Sequence, residues 1–293
     1  MDKKQQLVVK DNALINAAYR LDLTEQRLIL MSTVRAREEG DGITADKPLM
    51  VRAEDYAEQF KVTRQAAYMA LKEATTGLFE RQFTYEQLTK RGNVEVVKSR
   101  WVSQVSYIEN EGTVSIVFAP SVVPLITRLE KEFTRYDLEQ VSGLTSTYAV
   151  RLYELLISWR RTGKTPEIEL ADLRERLGVE DGEYVDMQNF KRRVLDASIK
   201  QVNEHTDIVA EYQQRKRGRT ISGFSFTFTM KNPNRDPNTI DLLTGTTDNE
   251  RARPKRKRIT RAEAEGMARP GEEWPELVKR LSADFFITER KGI

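Results

Sequence analysis

QNFKRRVLDASIKQVNEHTDIVAEYQQRKRGRTISGFSFTFTM, residues 188–230, contains one helical pattern followed by two strand patterns. From Phe190 to Glu204 apolar side chains recur at helical spacing, at Val194, Leu195, Ile199 and Val202. Ile208–Tyr212 and Phe224–Met230 have the residue types of strands, and they flank the cationic run Arg215–Arg219. We therefore predict a long helix followed by a hairpin with a basic tip.

The residues before this segment supply the rest of a winged helix. Tyr148–Arg160 has an apolar stripe typical of a helix, and Ile168–Leu170 has the pattern of a short strand. Ala171–Leu177 is a predicted short helix, and Gly178 follows it as a common helix stop. Helix, short strand, helix, turn, longer helix and hairpin is the winged-helix order.

The first half of the chain repeats this order. Its predicted elements are helices at Thr24–Val34, Ala53–Phe60 and Arg64–Phe79, and strands at Leu49–Val51, Trp101–Ile108 and Thr113–Phe118. Arg27-Leu28 aligns with Arg151-Leu152, and Leu71 with Leu195, both at an offset of 124 residues. A long period that occurs twice indicates a duplicated domain.

Length and composition agree with an α+β chain of two tandem winged-helix domains. The 293 residues are 39% hydrophobic and 32% charged, with a mean hydropathy of −0.59. No apolar run has the roughly 18 residues of a membrane span, and the absence of cysteine fits a reducing cytoplasm. We predict domain 1 over residues 1–135, domain 2 over 136–243, and a basic, partly disordered linker and tail over 244–293.

Positive charge is concentrated in two segments. The whole chain has a net charge of +3, whereas residues 190–232 and residues 251–293 each have a net charge of +5, which leaves −7 for the remainder. This distribution indicates a polyanionic partner. Residues 251–261 contain seven cations in eleven positions and are either a DNA tether or a solubilising linker. Residues 274–286 have a weak helical pattern.

The second domain has the side chains that read duplex DNA. The N-terminal part of a reading helix enters the major groove, where Arg binds guanine and Asn or Gln binds adenine. The candidates on this helix are Gln188, Asn189, Lys191, Arg192, Arg193 and Lys200. The hairpin tip, or wing, adds phosphate contacts through Arg215, Lys216, Arg217 and Arg219.

The first domain has a weaker set on its equivalent helix: Arg64, Gln65, Tyr68 and Lys72. This domain either reads DNA or serves mainly for self-association, and the residues alone leave both alternatives open. The aromatic residues Trp101 and Tyr107 are expected to pack in the core of the sheet.

Enzymatic interpretations fit poorly, and we expect no catalytic residue, metal or cofactor. The chain has no cysteine, and its one histidine, His205, cannot form a two-histidine metal site. Gly163-Lys164-Thr165 resembles the end of a phosphate-binding loop but lies between a helix and a strand, the reverse of the order that such a loop needs. None of the ten tyrosines stands beside a metal or histidine cluster.

The chain resembles the plasmid replication initiators that bind directly repeated origin sequences (iterons). The resemblance spans residues 5 to 235 and rests on Thr24–Leu28, Tyr148–Leu156, Val202–Thr206, the basic tip and Phe224–Phe226. It implies that the monomer binds origin repeats, and that a dimer formed through domain 1 represses the initiator's own gene. It also implies contacts with the host replication initiator and the replicative helicase. The alternatives are a dedicated winged-helix repressor and a tyrosine-dependent DNA-nicking enzyme.

Overall fold

The computed structural model describes residues 6–38, 44, 46–89, 91–127 and 133–232, and the backbone of 257–260 and 285–288. Contacts divide the chain into Met1–Lys231, which contains both winged helices, and Asn232–Ile293. The predicted boundary between residues 135 and 136 stays a prediction.

The first winged helix is built around three helices and two small sheets. Its elements are β1 (Leu7–Asp11), α1 (Asn12–Asn16), β2 (Ala18–Tyr19), α2 (Leu23–Glu38), β3 (Leu49–Arg52), α3 (Ala53–Phe60), α4 (Arg64–Glu80), β4 (Gln82–Leu88), β5 (Val94–Arg100), β6 (Val102–Ile108), a 3₁₀ turn (Glu109–Glu111), β7 (Thr113–Phe118) and α5 (Val122–Thr127). Strands β3, β7 and β6 form one antiparallel sheet, and β2, β4 and β5 form another.

The second winged helix follows the same plan with fewer additions. Its elements are β8 (Phe133–Asp137), α6 (Glu139–Ser142), α7 (Thr147–Ile157), β9 (Ile168–Glu169), α8 (Leu170–Leu177), α9 (Met187–Phe190), a π-helical segment (Lys191–Asp196), α10 (Ala197–His205), β10 (Ile208–Arg217) and β11 (Thr220–Met230). Strand β8 pairs back with β1, and β10, β11 and β9 form one sheet. The predicted pair of winged helices is confirmed.

Local signals explain why the helices begin and end where they do. The Thr63 side chain accepts a hydrogen bond from the backbone N–H of Ala66 and so caps α4. Gly178 has a φ of +77° just after α8, a left-handed conformation that costs glycine little. Helix α3 has the bounds predicted from its pattern, Ala53–Phe60, since Tyr56, Ala57 and Phe60 are its buried face.

Several elements of the first winged helix were not predicted: β1, α1, β2, β4, β5 and α5. The hairpin of β4 and β5 lies between α4 and β6, and β1 pairs with the distant β8. Neither β1 nor β5 shows an alternating pattern with one buried face: β1 is buried at three successive positions, and no residue of β5 is fully buried. The buried Trp101 confirms the prediction that it belongs to the core, and Tyr107 packs partly buried against the same cluster.

A buried polar network joins the two repeats. Arg27 donates to the carbonyl of Leu144 at 3.0 Å, while its counterpart Arg151 donates to the carbonyls of Ile15 and Ala17 at 2.9 and 2.8 Å. Glu154 neighbours Arg151 on α7, which is buried on all sides from residue 149 to 157, and it pairs with Lys10 Nζ at 2.6 Å. Equivalent arginines thus reach from each repeat to the backbone of the other.

The C-terminal segment is described only at two strands. Strand β12 (Lys257–Thr260) pairs in parallel with β13 (Phe285–Thr288). Residues 257–260 fall in the predicted linker, which stays a prediction. Residues 285–286 were predicted as the end of a helix, and that prediction is wrong there because their backbone forms a strand. The rest of the predicted linker and of the 274–286 helix lies outside the described residues.

Candidate nucleic-acid interface

The reading helix of the second domain consists of α9, the π-helical segment and α10, which run without interruption from Met187 to His205. Its inner face is buried at Phe190, Val194, Leu195, Ser198 and Val202. This burial leaves Gln188, Asn189, Arg192 and Arg193 exposed and Lys191 half-buried. Five of the predicted residues therefore lie together at the N-terminal end of one helix, while Lys200 lies exposed on α10 beyond them.

Within the described residues, neutral amides contact two of the three cations at this end, Lys191 and Arg192. Arg192 Nη2 donates to Asn189 Oδ1 at 3.2 Å, and Lys191 Nζ donates to Gln214 Oε1 on β10 at 3.1 Å. Among the described residues, no carboxylate forms an ion pair with Lys191, Arg192 or Arg193. Their positive charges are therefore not cancelled within the described structure, and the Lys191 contact ties the reading helix to the wing.

A π-helical turn lies in the middle of the reading helix. Residues Lys191–Asp196 carry this wider winding, whereas the sequence predicts a continuous α-helix. Such turns are rare and often occur at functional sites. At its end, Asp196 accepts a hydrogen bond from the Tyr212 hydroxyl at 2.6 Å, which fixes the helix against β10.

The wing is a long hairpin with a tight tip. Arg217 pairs with Thr220, so Gly218 and Arg219 form a two-residue loop in which Gly218 has a φ of +65°. The register shifts between Arg215 and Lys216, and a bulge of this kind increases the local twist. All four predicted wing cations are exposed.

Among the described residues, one wing cation is neutralised by a neighbour. Arg215 Nη1 pairs with Glu167 Oε2 at 2.6 Å. Lys216, Arg217 and Arg219 form no ion pair within the described part of the chain. Three uncompensated cations at one tip repel each other, and a phosphate backbone relieves that repulsion.

The first domain presents a different electrostatic surface. Arg64 and Gln65 are exposed at the start of α4, and Arg64 pairs with Glu54 at 3.2 Å. Lys72 is exposed and hydrogen-bonds Glu109, which raises the pKa of Lys72. Tyr68 is half-buried beside Gly112. The predicted residues of domain 1 thus share one helix, but their cations are already paired with carboxylates.

The β6–β7 hairpin of the first domain has an acidic tip, whereas the β10–β11 hairpin of the second domain has a basic one. Glu109–Glu111 form the turn between β6 and β7, and both glutamates are exposed. Glu109 is already paired with Lys72, whereas Glu111 forms no ion pair within the described residues. The second domain therefore exposes the more positive of these two hairpin tips.

A metal-dependent nuclease would need clustered metal ligands, and a tyrosine-dependent one would need an activated phenol. No three His, Cys, Asp or Glu side chains there come together as a metal site needs. Burial is the largest cause that raises the pKa of six tyrosines, the opposite of what activates a phenol nucleophile: Tyr19, Tyr85, Tyr107, Tyr136, Tyr148 and Tyr212.

The Gly163-Lys164-Thr165 segment has a structural role. The backbone N–H of Thr165 donates to the Phe226 carbonyl at 3.0 Å, and the Phe228 N–H donates to the Gly163 carbonyl at 2.8 Å. Gly163 has a φ of +66°, and a Cβ there would stand 2.9 Å from the carbonyl oxygen of Phe228. The segment extends the edge of the second-domain sheet.

Sequence reasoning missed the residues that hold the reading helix in place. Arg174 donates to the carbonyls of Glu183 and Tyr184, and its guanidinium lies 5.1 Å from the Phe190 ring centre. Asp186 caps the reading helix by accepting from the Asn189 N–H at 2.9 Å. Asp186 could have been found as a helix-capping residue type. The contacts of Arg174 cross a turn and leave no sequence signal.

The fold and this surface define a class: proteins of two winged-helix domains in which the second reading helix and its wing form one exposed cationic surface. The chain matches two family descriptions in order, "Initiator Replication protein, WH1" over residues 7–157 and "Initiator Rep protein, WH2" over residues 169–228. It belongs to this family of replication initiator proteins, and the resemblance seen in the sequence is confirmed.

Individual relatives agree with this assignment. An uncharacterized 27.6 kDa protein of Escherichia coli is 27% identical over 232 residues, which are 75% of this chain and 96% of that protein. The PI protein of Escherichia coli is 25% identical over 248 residues, 75% of this chain and 81% of that protein. A crystal structure of Pi initiator protein in complex with iteron DNA matches with a TM-score of 0.63 at 26% identity, and covers 78% of this chain and 98% of that chain.

The described helices include none that is long and apolar enough to span a bilayer.

Proposed function

We propose that this replication initiator starts plasmid replication by binding directly repeated origin sequences. The observation that carries the proposal is the set of exposed, uncompensated cations on the reading helix and wing of the second domain. A solved relative with the same two-domain fold holds iteron DNA. Double-stranded DNA is the partner that this surface suits, because a winged helix offers a helix to the major groove and a hairpin to the backbone.

The proposed mechanism is binding without catalysis. The second-domain reading helix reads base edges, its wing grips phosphates or the minor groove, and the first domain reads the next major groove. Two readers one turn apart imply a site of about 20 base pairs. Bending of this duplex then helps to open an adjacent AT-rich segment, because deformability depends on sequence. No cofactor takes part, and the protein acts in the cytoplasm.

Self-association through domain 1 belongs to the same proposal. Leu88 and Val94 are opposite each other on β4 and β5, and with Val96 they are 71, 63 and 64% exposed. Strand β5 is also at the edge of its sheet. A second copy would cover this apolar patch and form a dimer that represses the initiator's own gene.

Val96→Lys should shift sedimentation towards the monomer, with Val209→Lys, a change at another exposed valine, as a matched control. A dimer that persists in Val96→Lys would contradict self-association through this patch.

Contacts with the host replication initiator and the replicative helicase complete the proposal. Bound initiator would bring both to the opened origin.

A plasmid-maintenance assay tests initiation directly. Tandem copies of the duplex that the protein selects from random sequences are placed, beside an AT-rich segment, on a circle with no other origin, and the protein is supplied in trans. Stable transformants with the natural protein and none with Arg192→Ala support initiation. Repression of a reporter without maintenance would indicate a dedicated repressor. Nicked circles with covalent protein, after incubation with supercoiled plasmid and a divalent metal, would indicate an enzyme.

A further inference from the structure

An exposed valine stands at the entrance to the reading helix. Val185 is 79% exposed, although it lies between two anchored segments of the second domain. With Asn189 and Arg193 it lines a surface groove of about 310 Å³, which Gly182, Tyr184 and Asp186 complete. An apolar side chain exposed beside the polar reading residues is placed to contact an apolar group on the DNA.

The backbone at Val185 is held on both sides. On the N-terminal side, Arg174 donates to the carbonyls of Glu183 and Tyr184, and the Tyr184 ring lies edge-on to Tyr148 at 6.1 Å. On the C-terminal side, Asp186 caps the reading helix. Val185 therefore presents its side chain from a fixed backbone, and a β-branched side chain loses little further freedom on contact.

The surface groove brings this valine beside two of the reading residues. Val185, Asn189 and Arg193 all line it, so the three side chains face the same side of the reading helix and the turn before it. Asn suits adenine and Arg suits guanine in the major groove. The thymine C5-methyl is the apolar group that a major-groove edge offers, and an apolar side chain is its usual contact.

We propose that Val185 is a specificity-determining residue that contacts the C5-methyl group of a thymine next to the bases read by Asn189 and Arg193. This inference rests on the proposed function, because it requires the reading helix to lie in a major groove. Loss of the methyl group should cost what burial of one methyl contributes, about fourfold in affinity.

Deoxyuridine substitution tests this contact without any change in base pairing. The full-length protein is titrated with the duplex that it selects from a random library, and each thymine is replaced in turn by deoxyuridine. The natural protein should show one position where the replacement weakens binding by roughly three- to tenfold. Val185→Ala should bind the thymine duplex as weakly as the natural protein binds the deoxyuridine duplex, and should no longer distinguish the two.

Val209→Ala is the matched control, since Val209 is an exposed valine on β10 outside the reading helix. It should keep the full preference for thymine. Specific binding with no sensitive thymine, or a preference that persists in Val185→Ala, would overturn the role of Val185 and leave the proposed function standing. Absence of any sequence-specific binding would overturn both.

Discussion

Removal of the uncompensated wing cations should change how DNA binding depends on salt. Lys216, Arg217 and Arg219 form no ion pair among the described residues, whereas Arg215 is paired with Glu167. Each phosphate that a cation neutralises contributes about 0.9 to the slope of log K against log salt. The triple alanine variant should therefore lose about 2.7 from that slope. Between 50 and 200 mM salt, the natural protein should lose about 40-fold more affinity than the variant.

Fluorescence anisotropy with a labelled duplex, repeated at five salt concentrations, measures the slope. Glu167→Gln should change the slope in the opposite direction, because it releases Arg215 from its ion pair. The slope should become steeper by up to about 0.9. A triple variant with both the slope and the affinity of the natural protein would show that the wing does not contact phosphates. An unchanged slope with the same loss of affinity at every salt concentration would point to misfolding instead.

Four further outcomes follow from other parts of the structure. Arg192→Ala should relax base preference and cost about 1–3 kcal/mol on the selected site, whereas Lys216→Ala should weaken all sequences alike; competition with scrambled duplexes separates the two. Lys10→Met leaves the buried Glu154 carboxylate without its 2.6 Å partner, and urea denaturation should show a loss of about 3–5 kcal/mol in the free energy of unfolding. Burial raises the pKa of Glu154, but attraction from Lys10 and Arg151 outweighs burial and holds that pKa below its ordinary value. The ionised carboxylate therefore stabilises the fold at neutral pH, and this contribution is lost as the pH falls through the lowered pKa. Glu154→Gln should therefore flatten the acid limb of a stability profile, and an unchanged limb would contradict this. Gly112 has a φ of +56°, and a Cβ there would collide with the Tyr68 ring, so Gly112→Ala should lower the melting temperature. Gly92→Ala is the control for backbone strain alone, because Gly92 has a φ of +81° and open space around it.

Local patterns were sufficient to predict the repeated core of both domains. Helix α4 begins at Arg64 as predicted, because Ala67, Leu71, Ala74 and Leu78 form one buried stripe. Strand β7 has its predicted bounds, Thr113–Phe118, as a run of buried residues. The winged-helix order then follows from the sequence of such elements, which is why the duplicated architecture could be predicted before any tertiary contact was known.

Elements that depend on distant partners could not be predicted in the same way. Strand β1 owes its place to pairing with β8, and β5 exposes Val94 and Val96 where a strand pattern would bury one face. The π-helical winding of Lys191–Asp196 also has no signature in residue type. Contacts with residues distant in the sequence determine such features, and local patterns in one sequence do not reveal those contacts.

The sequence predicted which cations form the surface, but not which of them are paired with carboxylates. Charge clustering pointed to the wing and the reading helix of domain 2, which the structure brings together through Lys191 and Gln214. The same residue types in domain 1 proved to be paired: Lys72 with Glu109 across 37 residues, and Arg64 with Glu54. Pairing of this kind depends on the fold, so the sequence left open whether domain 1 reads DNA.

Selection of bound duplexes from a random library, at near-physiological salt, tests the central claim most directly. Two tandem winged-helix readers predict one enriched motif of about two helical turns, with its strongest positions where the second-domain helix docks. The Arg192→Ala protein should enrich the same motif with those positions relaxed. Binding without any enriched motif, lost steeply as salt rises, would mean that the basic surface is only an electrostatic tether and would contradict sequence-specific initiation.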